Sequence, residues 1–191
     1  MMAQRLNRRF FARPAAAVAP ELLGKFLVRR MPNGSLREGM IAEVEAYVGV
    51  EDLASHAAGG RRTARNEVMY GPPGHAYVYF TYGMHWLLNV VCSGRDDPQA
   101  VMIRSLEIVS GDSPAPSSAL VRGPARLTKF LEIDRKLNGE DLVESRALWI
   151  EDRGVRTEQD VIAIAPRIGV DYAKEWKDKP LRFVLPPMAA V

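Results

Sequence analysis

The sequence predicts an α+β fold, a single compact domain around a mostly antiparallel, curved sheet. Candidate strands outnumber candidate helices, they come in pairs joined by short turns, and no linker of shifted composition divides the 191 residues. That length suits one domain of roughly 100–200 residues. Residues 1–191 are therefore read as one unit, with 1–20 as a basic N-terminal arm.

Residues 22–31 read as an apolar strand, Pro32-Asn33-Gly34-Ser35 as a turn, and 36–47 as a returning strand. Strict alternation along the return strand sets Met40, Ala42, Val44 and Ala46 on one face and Ile41, Glu43, Glu45 and Tyr47 on the other. Residues 49–74 are loop-rich, with a helical turn around 52–58. Two aromatic strands follow, 75–80 and 84–92, joined at Thr81-Tyr82-Gly83, and so tight a joint projects Tyr82 outward. Residues 100–109 form a further strand and 111–118 a Pro/Ser loop. A helix opens near Gly123 with Pro124 at its first position, carrying Leu127, Phe130 and Leu131 at helical spacing. Short strands are predicted at 147–151, 161–164 and 181–185.

A composition of 47% hydrophobic and 26% charged residues excludes wholesale disorder, and no period indicates collagen, coiled coil or solenoid. The single cysteine, Cys92, allows no internal disulfide and no zinc knuckle, which fits a reducing compartment. The uncharged stretch 68–94 is broken by Gly71, Pro72, Pro73, Gly74 and Gly83, so a soluble protein without a membrane partner is expected. His56, His75 and His85 are scattered, with no HExxH, so no metal is implied. Dinucleotide, nucleotide-triphosphate and serine-hydrolase motifs are absent as well.

Charge is uneven. The formal net charge is +3, yet residues 1–30 hold seven cations against Glu21 alone, and Arg61, Arg62 and Arg65 form a second cluster. Arginine supplies 20 of the 26 cations. Its planar fork matches phosphate oxygens, so Arg61, Arg62 and Arg65 are read as nucleic-acid backbone contacts, against the alternative of an arginine-rich solvated face.

Two carboxylates, Glu43 and Glu45, lie roughly 6.6 Å apart along one strand face. Beside them come Tyr47, Tyr77, Tyr79, Tyr82 and His85. A carboxylate among apolar neighbours serves as a general base toward water, and flat rings near arginines suit a nucleobase. Both features also occur in ordinary cores and strand faces.

The series Glu43-Val44-Glu45-Ala46-Tyr47, Ala54-Ser55-His56, Tyr77-Val78-Tyr79, Tyr82-Gly83-Met84 and Asn89 resembles the alkyladenine (3-methyladenine) DNA glycosylases, in their bacterial form. The likeness runs from Glu21 to Phe183. It implies a monofunctional repair glycosylase that flips an alkylated or deaminated purine out of duplex DNA and hydrolyses its N-glycosidic bond, leaving an abasic site. By the same likeness Glu45 is the base that activates water, and Arg104 and the backbone carbonyl of Ile168 help to hold that water. Tyr47, His56 and Tyr79 stack on the base, with the backbone at Ala54 and with His56 as its hydrogen-bonding edge. Tyr82 intercalates into the gap, and Asn89 crowds the purine 2-position. Neither cofactor nor metal is implied, nor a lyase step. The implied partner is double-stranded DNA containing damaged purines, bound by a monomer in the bacterial cytoplasm, at the nucleoid.

Departures from the family pattern bear on substrate range: the short segment 107–123, Leu53 where proline is common, and His85 and Trp86 at the strand start. Two other readings compete. One is a non-catalytic nucleic-acid-binding domain with the similar fold of the formyltransferase C-terminal domain. The other is a carbohydrate glycosidase using Glu43 and Glu45 as its pair.

Overall fold

The computed structural model describes residues 3–108, 119–157 and 159–186. In chain order its elements are β1 (Gln4–Arg5), α1 (Arg8–Phe11), α2 (Ala15–Leu22), β2 (Phe26–Arg30), β3 (Leu36–Val48), β4 (Ala76–Thr81) and β5 (His85–Cys92). Then come β6 (Gln99–Ile108), β7 (Ala119–Arg122), α3 (Pro124–Phe130), β8 (Leu148–Asp152), β9 (Ala163–Ala165) and β10 (Arg182–Val184). The Pro/Ser loop expected at 111–118 lies outside the described residues.

Strand β3 organises the rest. Thirteen residues long, it pairs with β6 along one edge, while its other edge is shared between β2, against Leu36–Met40, and β10, against Glu43–Glu45. The sheet runs β1-β8-β2-β3-β6-β5-β4, with β7 beside β6 and β9 beyond β10, and each of these pairings is antiparallel. The two partners meet that edge end to end, and between them β3 bends.

The bend is a pair of bulges. In the β3–β6 register Ile41 faces Leu106, Glu43 faces Ser105 and Val44 faces Ile103, so Ala42 and then Arg104 have no opposite number. A bulge adds a residue and turns the strand, and it also resets which face each side chain takes. The consequence corrects the expected alternation. Ile41 joins Val44 and Ala46 in the main core, while Met40 packs on the other face with Phe26, Val28 and Trp149. Only Glu43, Glu45 and Tyr47 remain on the side where chemistry was expected.

The main core lies between the inner sheet face and helices α2 and α3, with Val18, Ala19 and Leu22 from one and Leu127 from the other. Residues expected as a basic arm thus form two short helices whose Phe11, Ala15 and Val18 are fully buried. Leu22, expected to open a strand, ends α2 instead. The last predicted strands shift by one or two residues, to β8, β9 and β10. Among the described residues, no helix is long and apolar enough to cross a membrane.

Candidate active site and nucleic-acid interface

Glu45 is completely buried in the second half of β3. Burying a lone carboxylate costs several kcal/mol, so its partners decide whether it can be charged. Three groups supply them. Arg104 of β6 comes within 3.1 Å of Oε1, the Ile168 N–H donates to Oε1 at 2.8 Å, and the Tyr47 hydroxyl donates to Oε2 at 3.0 Å. Burial pushes the Glu45 carboxyl up, and Arg104, Ile168 and Tyr47 offset only part of that, leaving it above the usual carboxylate range. Burial and the neighbouring carboxylate keep the Tyr47 hydroxyl protonated far beyond neutral pH, so it stays a donor.

Glu43 plays a different part. It accepts from Arg104 Nε at 3.0 Å, from the Ser105 hydroxyl at 2.8 Å and from Arg182 at 3.2 Å. Burial would raise its carboxyl, but the Ser105 hydrogen bond and the arginines outweigh burial and hold it low. The two carboxylates are therefore pushed in opposite directions and share one arginine.

In front of Glu45 opens a cavity of about 300 Å³, at the small end of ligand sites and of a size for one base. Tyr47, Ala54, His56, Tyr79, Asn89, Arg104 and Ile168 all reach its wall, as do Tyr77, Tyr82 and Tyr172. Eight positions predicted from the sequence, Tyr82 among them, thus converge. Glu45 itself stands one layer behind, its oxygens held by Tyr47, Arg104 and Ile168. The contact that Ile168 makes with Glu45 is through its N–H.

The aromatic walls are fixed by one another. The His56 ring meets Tyr79 edge-on at 4.5 Å between centroids, and His56 Nδ1 hydrogen-bonds the Tyr77 hydroxyl at 2.7 Å. Burial, with Arg65 and Arg61 near by, pushes His56 down to about 4, so the imidazole is neutral at pH 7. Asn89, buried, donates from its amide to the Tyr77 carbonyl at 3.1 Å. Ala54 is less available: its N–H donates to Asp52 at 3.0 Å and its carbonyl accepts from the Tyr172 hydroxyl at 3.2 Å.

Tyr82 crowns the β4–β5 hairpin at the cavity mouth. It and Gly83 both take the left-handed conformation, φ +51° and +67°, which is the mirror-type turn that matches strand twist. Asparagine or glycine ordinarily fills the first of these positions, and a tyrosine there is strained. Its ring is 80% exposed. Below the tip, Phe80 and Trp86 pack at 4.8 Å and stiffen the hairpin.

The arginine cluster divides. Arg62 is committed to Glu67 at 2.6 Å and Asp96 at 2.7 Å, and it stacks over Tyr70. Its guanidinium is thus shared with two surface carboxylates. Arg65 donates to the Phe80 carbonyl and lies over Tyr79, bracing the wall. Arg61 is exposed and opens onto a second recess with His56 and Tyr172.

Several site residues escaped the sequence. Tyr77 was grouped with Tyr79 but not as the partner of His56. Asp52, Arg167 and Tyr172 come from loops more than 100 residues apart, and no local pattern ties them together. Among the described residues no group of three or more His, Cys, Asp or Glu converges.

Comparison with known proteins agrees with this geometry. The family described as methylpurine-DNA glycosylase matches residues 9–188. The chain is 46% identical to a protein of Carboxydothermus hydrogenoformans and 43% identical to one of Desulfitobacterium hafniense, each named "Putative 3-methyladenine DNA glycosylase". These alignments cover 94% and 95% of both chains respectively. It is 37% identical to human DNA-3-methyladenine glycosylase over 94% of its own length and 65% of the human protein's. Matched along nearly all its length, the chain belongs to the methylpurine-DNA glycosylase family, DNA-repair hydrolases.

Proposed function

We propose that the cavity receives one alkylated or deaminated purine, flipped from duplex DNA, and that Glu45 activates the water that displaces it. The observation that carries this reading is the layered order of the site. An aromatic slot of Tyr47, His56 and Tyr79 lies in front, and a buried, arginine-paired carboxylate lies directly behind it. Flipping is needed because C1′ is shielded inside the base stack.

The step is a hydrolysis. Water, held by Arg104 and the Ile168 carbonyl, attacks C1′ as Glu45 takes its proton. The C1′–N9 bond breaks, its electron pair leaves with the purine, and an abasic sugar remains. A purine alkylated at N3 or N7 is already cationic, so it is a good leaving group and is attracted to the electron-rich rings of Tyr47 and Tyr79. The backbone N–H of His56, without a hydrogen-bond partner among the described residues, is the donor we assign to the base edge. Neutral His56 also spares a cationic base from charge repulsion. Tyr82 fills the vacated stack, Asn89 narrows the pocket at the purine 2-position, and Arg61 contacts phosphate.

Among the described residues no lysine amine lines the cavity, so we expect no Schiff-base lyase step. The curl of the sheet suits the likeness to formyltransferase C-terminal domains, and a monomer suffices for the site. The test is a methylated duplex incubated with the protein and EDTA, with borohydride added. Free base and abasic DNA without a trapped adduct are expected. Tight duplex binding without base release would favour the binding-module reading, and affinity indifferent to salt would favour a sugar ligand.

A further inference from the structure

Arg167 and Asp52 form an ion pair with no solvent exposure on either side chain, at 2.5 Å and 2.8 Å. Arg167 also donates to the Ala46 carbonyl at 2.9 Å and lies 4.7 Å over the Tyr47 ring. Asp52 accepts the N–H of Val48 at 3.1 Å and of Ala54 at 3.0 Å. One pair therefore grips the end of β3, the loop that carries Ala54 and His56, and the loop after β9 that carries Ile168. A small cluster of Ala54, Val170 and Ala173 packs beside it, with Tyr47, Leu53 and Trp176 against it.

Buried ion pairs rarely add stability over an apolar pair of the same shape, so a pair kept here calls for another use. Three cavity groups, the Tyr47 ring, the Ala54 backbone and the Ile168 N–H, each sit within one residue or one contact of it. We propose that the Arg167–Asp52 pair is the positioning device of the excision site, locking the face that receives the base to the amide that holds Glu45. This rests on Glu45 as the base. Removing it leaves Tyr47 and Ile168 free to shift, and displacements of about 1 Å at a reacting centre cost on the order of a hundredfold in rate.

Arg167 also faces Glu45 electrostatically and lowers its carboxyl, together with Arg104 from β6 and against burial. Tyr47 from the same strand and Tyr79 from β4 face it too, while Glu43 and Arg182 pair with each other beside it. Loss of the Arg167 charge therefore raises Glu45 further, and the acid limb of the excision profile moves to higher pH.

Two variants separate positioning from folding. Arg167→Lys keeps the charge but loses the fork. Asp52→Asn with Arg167→Gln keeps neutral hydrogen-bonding groups and leaves no orphan charge. Single-turnover excision of methylated purine across pH, thermal unfolding and abasic-duplex affinity are measured for each, with Glu45→Gln alongside. The expected result is native-like unfolding and affinity in at least one variant, with excision down by about tenfold to a hundredfold. Arg167→Gln alone, which removes only the cation, also places the acid limb at higher pH. A folded variant with undiminished excision and an unmoved profile overturns the proposal, as does a rate that falls only with the folded fraction in both. If Glu45→Gln excises like wild type, the base assignment fails, and the positioning role with it.

Discussion

Arg104 meets Glu45 at 3.1 Å through a guanidinium whose Nε is already held by Glu43 at 3.0 Å. Arg104 stands at the bulge, with no residue of β3 opposite it. Glu43 thereby aims Arg104, and Arg104 keeps the buried Glu45 chargeable. Arg104→Lys, which cannot hold both carboxylates with one planar fork, is expected to lower single-turnover excision by about a hundredfold. Glu43→Gln leaves an acceptor for Nε and should cost far less. Equal losses in the two variants would show that Arg104 does not depend on its aim.

His56 gives the stability a defined pH dependence. Its folded value is about 4 against 6.5 for a free histidine, so between them the unfolded chain binds a proton that the folded protein does not. Stability is therefore lost as pH falls from 6.5 toward 4, by at most about 3 kcal/mol. Thermal unfolding across this range should show the loss, and His56→Asn should flatten it. An unchanged slope in the variant would mean that His56 is not buried neutral.

The turn at Tyr82 separates strain from use. Asparagine tolerates the left-handed conformation, so Tyr82→Asn should unfold at the same temperature as wild type or higher. Excision from duplex DNA should nonetheless fall, because nothing fills the gap left by the flipped nucleotide. Equal excision from duplex by both proteins would remove the wedge role.

Arg61 and Arg62 are neighbours with opposite expectations. Arg61→Ala should weaken duplex binding and reduce the slope of log affinity against log salt by about 0.9, one phosphate contact. Arg62→Ala, whose partners are Glu67 and Asp96, should leave the slope unchanged. Salt titrations of duplex affinity distinguish the two.

Much of this site could be read from the sequence because its parts are local. The alternation of Glu43, Glu45 and Tyr47, the paired aromatic strands and the tight turn at Tyr82 each declare themselves within a few residues. What stayed hidden depends on distant partners. The face change at Ile41 comes from bulges against β6, although an isoleucine on an otherwise polar face was its one local signal. Helices α1 and α2 were masked by arginines and by Pro14 and Pro20, the latter lying inside α2. Arg62 reads locally as a phosphate ligand beside Arg61, while its acidic partner Asp96 stands 34 residues on.

The most direct test of the account is Glu45→Gln under single turnover on methylated duplex DNA, with affinity measured in parallel. The amide keeps the size of the carboxylate but cannot take a proton from water. We expect wild-type affinity with excision lost, and wild-type excision by the variant would contradict Glu45 as the base.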